Sequence, residues 1–196
     1  MRISVQMRRR LLVVLGVVAV GVLVAVGLSQ TGTDNEAPRS ATAVPRVDPA
    51  TLPPRLGAIV RRANRIERAA PKRVVAEIDA LEGTPVVVNK WASWCGPCRY
   101  EFPFFQQAAA KYAGRIAFLG LNSGDNRGDA QRFLRRFPVP YPSFEDPNEK
   151  TALALEASAA YPVTIFIDAS GERFVHQGGY ATLEALERDL REHALS

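Results

Sequence analysis

The chain has 196 residues, with 25 Lys and Arg, 20 Asp and Glu, two His, two Cys and a net charge of +5. That length fits one globular domain with an appendage. Residues 1–54 hold six basic and three acidic side chains and residues 55–73 hold seven and one, which leaves 12 and 16 for the rest. The high isoelectric point belongs to the amino-terminal part, and the mildly acidic main body argues against nucleic acid as a partner.

Residues 1–10 end in Arg8-Arg9-Arg10 and precede an uncharged run over 11–28. As a helix this run would span roughly 27 Å, close to the ~30 Å hydrocarbon core. Basic residues stay inside, so 1–10 is read as cytoplasmic, 11–28 as a transmembrane anchor, and the remainder as extracytoplasmic in a single-pass cell-membrane protein. A cleaved signal peptide is the rival, with small residues at Ala25-Val26-Gly27. The run exceeds the ~7–15 apolar residues usual in a signal, which favours the anchor. Residues 29–54, polar with five prolines, read as a flexible linker. Residues 55–72 predict an amphipathic basic helix whose stripe of Leu56, Ile59, Val60, Ala63 and Ile66 docks on the domain; the alternative lays it on anionic lipid.

Residues 73–196 make up the domain. Val74, Val75, Ile78 and Leu81 predict a short helix ended by Gly83, and Val86-Val87-Val88 a buried strand over 85–91. Trp94-Cys95-Gly96-Pro97-Cys98 follows at once, and then Phe102, Phe105, Ala109 and Tyr112 recur at helical spacing, with Gly114 as a stop. Both cysteines therefore fall on the first turn of a helix of roughly 15 residues. Unpaired N–H groups and the positive end of the helix dipole stabilise a thiolate there, drawing the Cys95 pKa from about 8.5 towards neutrality. Pro97 suits an early helical position because it has no N–H to lose.

The C-x-x-C spacing holds either a disulfide or a dithiol. Half a zinc site would need two more ligands, with only His176 and His193 to supply them. A purely structural disulfide across so short a loop constrains the unfolded chain little. Redox catalysis is the favoured reading. Downstream, the pattern predicts a strand over 116–121, a helix over 129–137, a proline-rich connection over 138–146 and a helix over 149–160. A hairpin of strands 162–168 and 173–177 about Gly171 follows, and the last helix is 182–193. Alternating strands and helices predict parallel β-α-β units. Asp125, Arg127 and Asp129 read as solvated loop and cap residues, and His176 as an ordinary strand residue.

The run from Val88 to Arg99, Val-Asn-Lys-Trp-Ala-Ser-Trp-Cys-Gly-Pro-Cys-Arg, with Glu101 and Pro103 after it, resembles the thioredoxin superfamily. More narrowly, Asn89, Arg99, Glu101 and Pro103 resemble the membrane-anchored extracytoplasmic thiol-disulfide oxidoreductases of the TlpA/ResA type. The likeness runs from about residue 84 to the end. It implies a thioredoxin-like α/β fold, a mixed central sheet with helices on both faces. It implies that Pro162 is a cis-proline against the cysteines, so that the backbone of Tyr161 pairs with an extended substrate segment. An ordinary trans proline opening a strand is the alternative. Tyr161 and Val163 depart from the family, which more often has a smaller residue before this proline and Thr after it. Lys90 departs too, standing where an aromatic or apolar residue is usual, with no account beyond pairing with a nearby acid. Asn89 stands where plain thioredoxins carry a buried aspartate.

Cys95 is then the attacking thiolate and Cys98 the resolving thiol. Glu101, three residues after Cys98 on the same helical face, resembles the family's active-site glutamate: partly buried, with a raised pKa, and moving the thiol proton. A solvated helix carboxylate is the alternative. Trp94, Gly96, Pro97, Tyr161 and Pro162 form the expected substrate surface, and Trp91 is read as packing. No cofactor or metal is expected. The partners are proteins with thiols or disulfides and a membrane electron donor or acceptor. Gly96-Pro97 resembles reducing thioredoxins, which favours a reductase, with apocytochrome c the substrate the resemblance suggests. The runner-up is an oxidase of secreted proteins. A copper-handling protein would want C-x-x-x-C and a histidine, a peroxidase Pro-x-x-x-Thr before Cys95, and a silent binding module is hard to reconcile with W-C-G-P-C.

Overall fold

The computed structural model describes residues 46–157 and 160–196. Segments 1–10 and 11–28, and the linker as far as residue 45, lie outside the described residues. The strands are β1 (Ile66–Glu67), β2 (Val86–Trp91), β3 (Ala117–Ser123), β4 (Ser143–Asp146), β5 (Val163–Ile167) and β6 (Arg173–Gln177). They form one mixed sheet in the order β1-β4-β3-β2-β5-β6. β1, β4, β3 and β2 run parallel, while β5 pairs antiparallel with β2, and β6 with β5. Parallel pairing and the hairpin are as the alternation predicted.

The helices are α1 (Pro54–Val60), α2 (Pro71–Asp79), α3 (Gly96–Lys111), α4 (Arg127–Arg136), α5 (Lys150–Ala154) and α6 (Leu183–Asp189). The path β2-α3-β3-α4-β4 steps in one direction across the sheet, so right-handed crossovers put α3 and α4 on the same face. Trp91, Phe102 and Phe133 interlock there, with ring centroids 4.7–5.2 Å apart. Each such pair adds about 0.5–1.5 kcal/mol beyond area burial. α2 and α5 carry the chain back and lie on the other face, where Ile78, Leu81, Val86 and Ile167 line one pocket. With both faces covered, every residue of β2 and β3 is buried.

Four local expectations are corrected. The helix expected over 55–72 ends at Val60, and Ile66 is buried on a strand rather than on a helical stripe. Asn64 takes a left-handed conformation (φ 61°), its N–H donates to the Tyr141 carbonyl, and Ser143 N donates to Arg65 O, so this backbone is bonded to the sheet edge. The linker's described end is docked: the Pro49–Thr51 turn lies so close to α1 that a Cβ on Gly57 would meet Pro49 O at 2.4 Å. The connection over 138–146 contains β4, a strand too short and polar for its period to show. The helix over 149–160 ends at Ala154, because Glu156 turns left-handed (φ 59°) and Ala157 N bonds back to Ala152 O.

Gly120 of β3 sits where Trp91 Nε1 donates to Ser143 Oγ at 3.2 Å. A Cβ on it would lie 2.0 Å from Ser143 Oγ and 2.9 Å from Ser143 Cβ. Gly120→Ala is therefore expected to destabilise the fold by about 1–3 kcal/mol, read as a lower urea midpoint at unchanged slope.

Candidate active site

β2 delivers the chain to the front of α3, and Cys95 is the residue that caps that helix. Its backbone is extended, so Cys98 N donates to Cys95 Sγ at 3.1 Å while Arg99 N donates to Cys95 O. Sulfur thus takes the place of the usual cap oxygen. The two cysteines form a disulfide with Cα atoms 5.3 Å apart. Cys95 keeps 3% of its surface exposed and Cys98 none, which agrees with the expected outer and inner positions. Gly96 and Pro97 are exposed beside them. The Cys98 amide and the helix terminus that now hold the sulfur would stabilise a Cys95 thiolate once the bond is reduced.

Glu101 is completely buried rather than partly so. Asn89 Nδ2 of β2 donates to its Oε1 at 2.8 Å, and the Tyr180 amide, beyond β6, donates to its Oε2 at 3.1 Å. Both bonds favour the charged carboxylate, yet burial outweighs them and pushes its pKa up to about 8. The solvated-carboxylate alternative is thereby excluded.

The Tyr161-Pro162 peptide is cis, as the resemblance implied. Pro162 comes together with Pro97 and Glu101 around Gly179: a Cβ there would lie 3.5, 3.6 and 3.7 Å from Pro162 Cγ, Pro97 Cβ and Glu101 Oε2. Trp94, 59% exposed, stacks obliquely on Tyr161 at 4.8 Å and donates from Nε1 to Gly124 O. Behind Tyr161, on the other face of the sheet, lies the fully buried Lys90. Its Nζ donates to Glu149 Oε2 at 2.8 Å and sits 4.0 Å from the Tyr161 ring centroid. The nearby acid is thus Glu149, and the ammonium forms a floor under the residue before the cis-proline.

Asp125 is no mere solvated loop residue. Its carboxylate accepts from Ser93 N (2.6 Å), Ser93 Oγ (3.0 Å) and Asn122 Nδ2 (2.9 Å), tying the segment before Cys95 to the end of β3. Arg127 pairs with Glu145 and donates to Ile66 O, so it too is structural. Sequence reasoning missed Gly179 and the Tyr180 amide; the Gly178-Gly179 pair just after β6, with Gly178 at φ 94°, was the signal of a turn there.

The AhpC/TSA family matches residues 67–172 of this sequence. The chain belongs to the AhpC/TSA family. Among its relatives is the thiol:disulfide interchange protein HelX of Rhodobacter capsulatus, 31% identical over 144 residues that cover 73% of this chain and 80% of that protein. The thiol-disulfide oxidoreductase ResA of Oceanobacillus iheyensis is 29% identical over 142 residues, covering 66% and 73%. A crystal structure from Chlorobium tepidum, of a protein assigned as the thiol:disulfide interchange protein DsbE, superposes with a TM-score of 0.54 at 32% identity, over 59% of this chain and 84% of that one. The fold is accordingly thioredoxin-like, and the protein is a thiol-disulfide oxidoreductase.

For this oxidoreductase the Glu101 proton is linked to stability. The unfolded carboxyl ionises near 4.5 and the folded one near 8, so as pH rises the unfolded state loses its proton first. Stability falls by roughly 1.4 kcal/mol per pH unit across that window and no further above it. The melting temperature of the wild type should drop between pH 5 and 8.5 more steeply than that of Glu101→Gln, with the two curves converging near pH 5.

Proposed function

We propose that this protein reduces disulfides of extracytoplasmic proteins, held at the membrane by residues 11–28, and that apocytochrome c awaiting haem is its substrate. The observation that carries the reading is the Cys95-Cys98 disulfide at the cap of α3, beside cis-Pro162 and above a buried acid of raised pKa. The HelX, DsbE and ResA names of its relatives agree with thiol-disulfide exchange.

In the reduced enzyme the Cys95 thiolate attacks one sulfur of a substrate disulfide and expels the other as a thiolate, leaving a mixed disulfide. Cys98 gives its proton to the Glu101 carboxylate, and its sulfur attacks Cys95 Sγ. The Cys95-Cys98 bond closes, the second substrate thiolate leaves, and two electrons have passed to the substrate. The burial that raises the Glu101 pKa to about 8 makes its carboxylate a stronger base towards a thiol than an ordinary one. The substrate backbone adds as a strand beside Tyr161, with Trp94, Gly96 and Pro97 as the facing surface. A membrane donor relaying electrons from the cytosol restores the dithiol.

The deciding experiment is the equilibrium reduction potential of Cys95/Cys98 in defined dithiol/disulfide buffers. A value near or below about −250 mV is expected, and one nearer −120 to −180 mV would make the protein an oxidase or isomerase. Cys95→Ser should abolish turnover, whereas Cys98→Ser should trap a covalent adduct with substrate, seen as a thiol-sensitive mass increase. If both variants keep full activity, the assignment of the two sulfurs fails. Glu101→Gln should remove the inflection near pH 8 from the rate of exchange; an unmoved profile would take Glu101 out of the proton path.

A further inference from the structure

An open groove of about 390 Å³ runs beside the disulfide, between the start of α3 and the flank of α4. Trp94 walls its near end, next to Cys95, and the buried rings of Phe133 and Phe137 lie beneath it. Arg99, Arg132 and Arg136 stand on its rim, all exposed. The rim has one acid, Asp129, and its carboxylate is already taken by Arg132 and by the Asn126 side-chain amide. Arg99 lends one N–H to Ser93 O at 3.3 Å, and Arg136 rests 5.5 Å from the Phe137 ring centroid. Among the described residues neither Arg99 nor Arg136 has a carboxylate partner. Residues 74–196 carry 12 basic against 16 acidic side chains, so this concentration of guanidinium groups does not follow from the domain's overall charge.

We infer that the groove receives an acidic segment of the protein substrate, flanking the disulfide that Cys95 attacks. The inference rests on the proposed exchange reaction and names the class of protein that the site selects. Arginine forks grip carboxylates with two parallel hydrogen bonds, and the aromatic floor takes the apolar stems of Glu or Asp neighbours. Positive potential at the mouth also steers an acidic partner towards the disulfide before contact. A concave site with an aromatic floor, reached past Trp94, suits a chain segment better than a flat lipid surface.

The test uses the full chain, reduced beforehand, and short synthetic peptides of one sequence whose single disulfide is flanked by paired glutamates, glutamines or lysines. Each rate is divided by that peptide's rate with dithiothreitol, which removes the effect of flanking charge on the sulfur itself. At low salt the glutamate peptide should react about five- to tenfold faster than the glutamine one and the lysine peptide slower. At about 0.5 M salt, where the Debye length falls to a few ångströms, the gap should close to within twofold. The double substitution R132Q/R136Q should remove the preference while the glutamine peptide keeps its rate to within about twofold. Equal rates for all three peptides, or a preference that survives the double substitution, would overturn the groove and leave the exchange chemistry standing. Equal rates together with arginine-dependent sedimentation on anionic vesicles would assign the patch to lipid instead. If no peptide is turned over, the reductase reading falls and this inference falls with it.

Discussion

The burial of one carboxylate organises the centre of this protein. Glu101 is held from two sides, by the Asn89 side chain from the sheet and by the Tyr180 amide from the segment that follows β6. Charge-assisted bonds of this kind contribute about 1.5–3 kcal/mol each, while full removal of a carboxylate from water costs several kcal/mol more than two bonds return. The proton stays on to near pH 8 because desolvation wins. That balance depends on the whole surround: Pro162 and Pro97 close over the acid around Gly179, and α3 must run from Cys95 so that Cys98 and Glu101 share a face.

A buried charge works on the opposite face. Lys90 is fully buried, and a lone ammonium in that position would be strongly disfavoured. Glu149 supplies the counter-charge from the start of α5 and the Tyr161 ring supplies its negative face. Burial and the Glu149 carboxylate together raise the Tyr161 pKa and keep its hydroxyl protonated. The residue before the cis-proline is thereby set between a buried cation and the exposed Trp94. Tyr161 and Lys90 thus support one another, since the ammonium lies over the aromatic ring and the ring rests on it.

Much of this was legible from the sequence, for reasons that are local. Val86-Val87-Val88 before a C-x-x-C with helical spacing after it fixes strand, cap and helix without reference to anything distant, while the roles of Pro162 and Glu101 were expected from the family resemblance. What escaped depends on long-range pairing. Ile66 fits a helical period, but Tyr141 and Ser143, more than 70 residues on, claim the backbone around it for the sheet edge. β4 has four residues and no apolar alternation, so only its neighbours define it. Asp125 seemed free in a polar loop because its partner, Ser93, is 32 residues away. Glu149 lies 59 residues from Lys90, so the sequence announces the cation and conceals the acid.

The partners of these two acids, Glu101 and Glu149, meet in a single strand, and its register holds them apart. Asn89 and Lys90 are consecutive on β2, and successive side chains of a strand point to opposite faces. Asn89 therefore reaches Glu101 beneath the disulfide, while Lys90 reaches Glu149 beneath Tyr161. The register is pinned by five antiparallel pairs with β5, among them Asn89 opposite Thr164, and by six parallel pairs with β3. A slip of one residue would turn the Lys90 ammonium towards Glu101 and Asn89 towards Glu149. An ammonium against that carboxyl would favour its charged form and hold its pKa far below 8, leaving it too weak a base to take the Cys98 proton. The ladder that pairs β2 with β3 and β5 thus sets the acidity of Glu101, which lies on another element altogether.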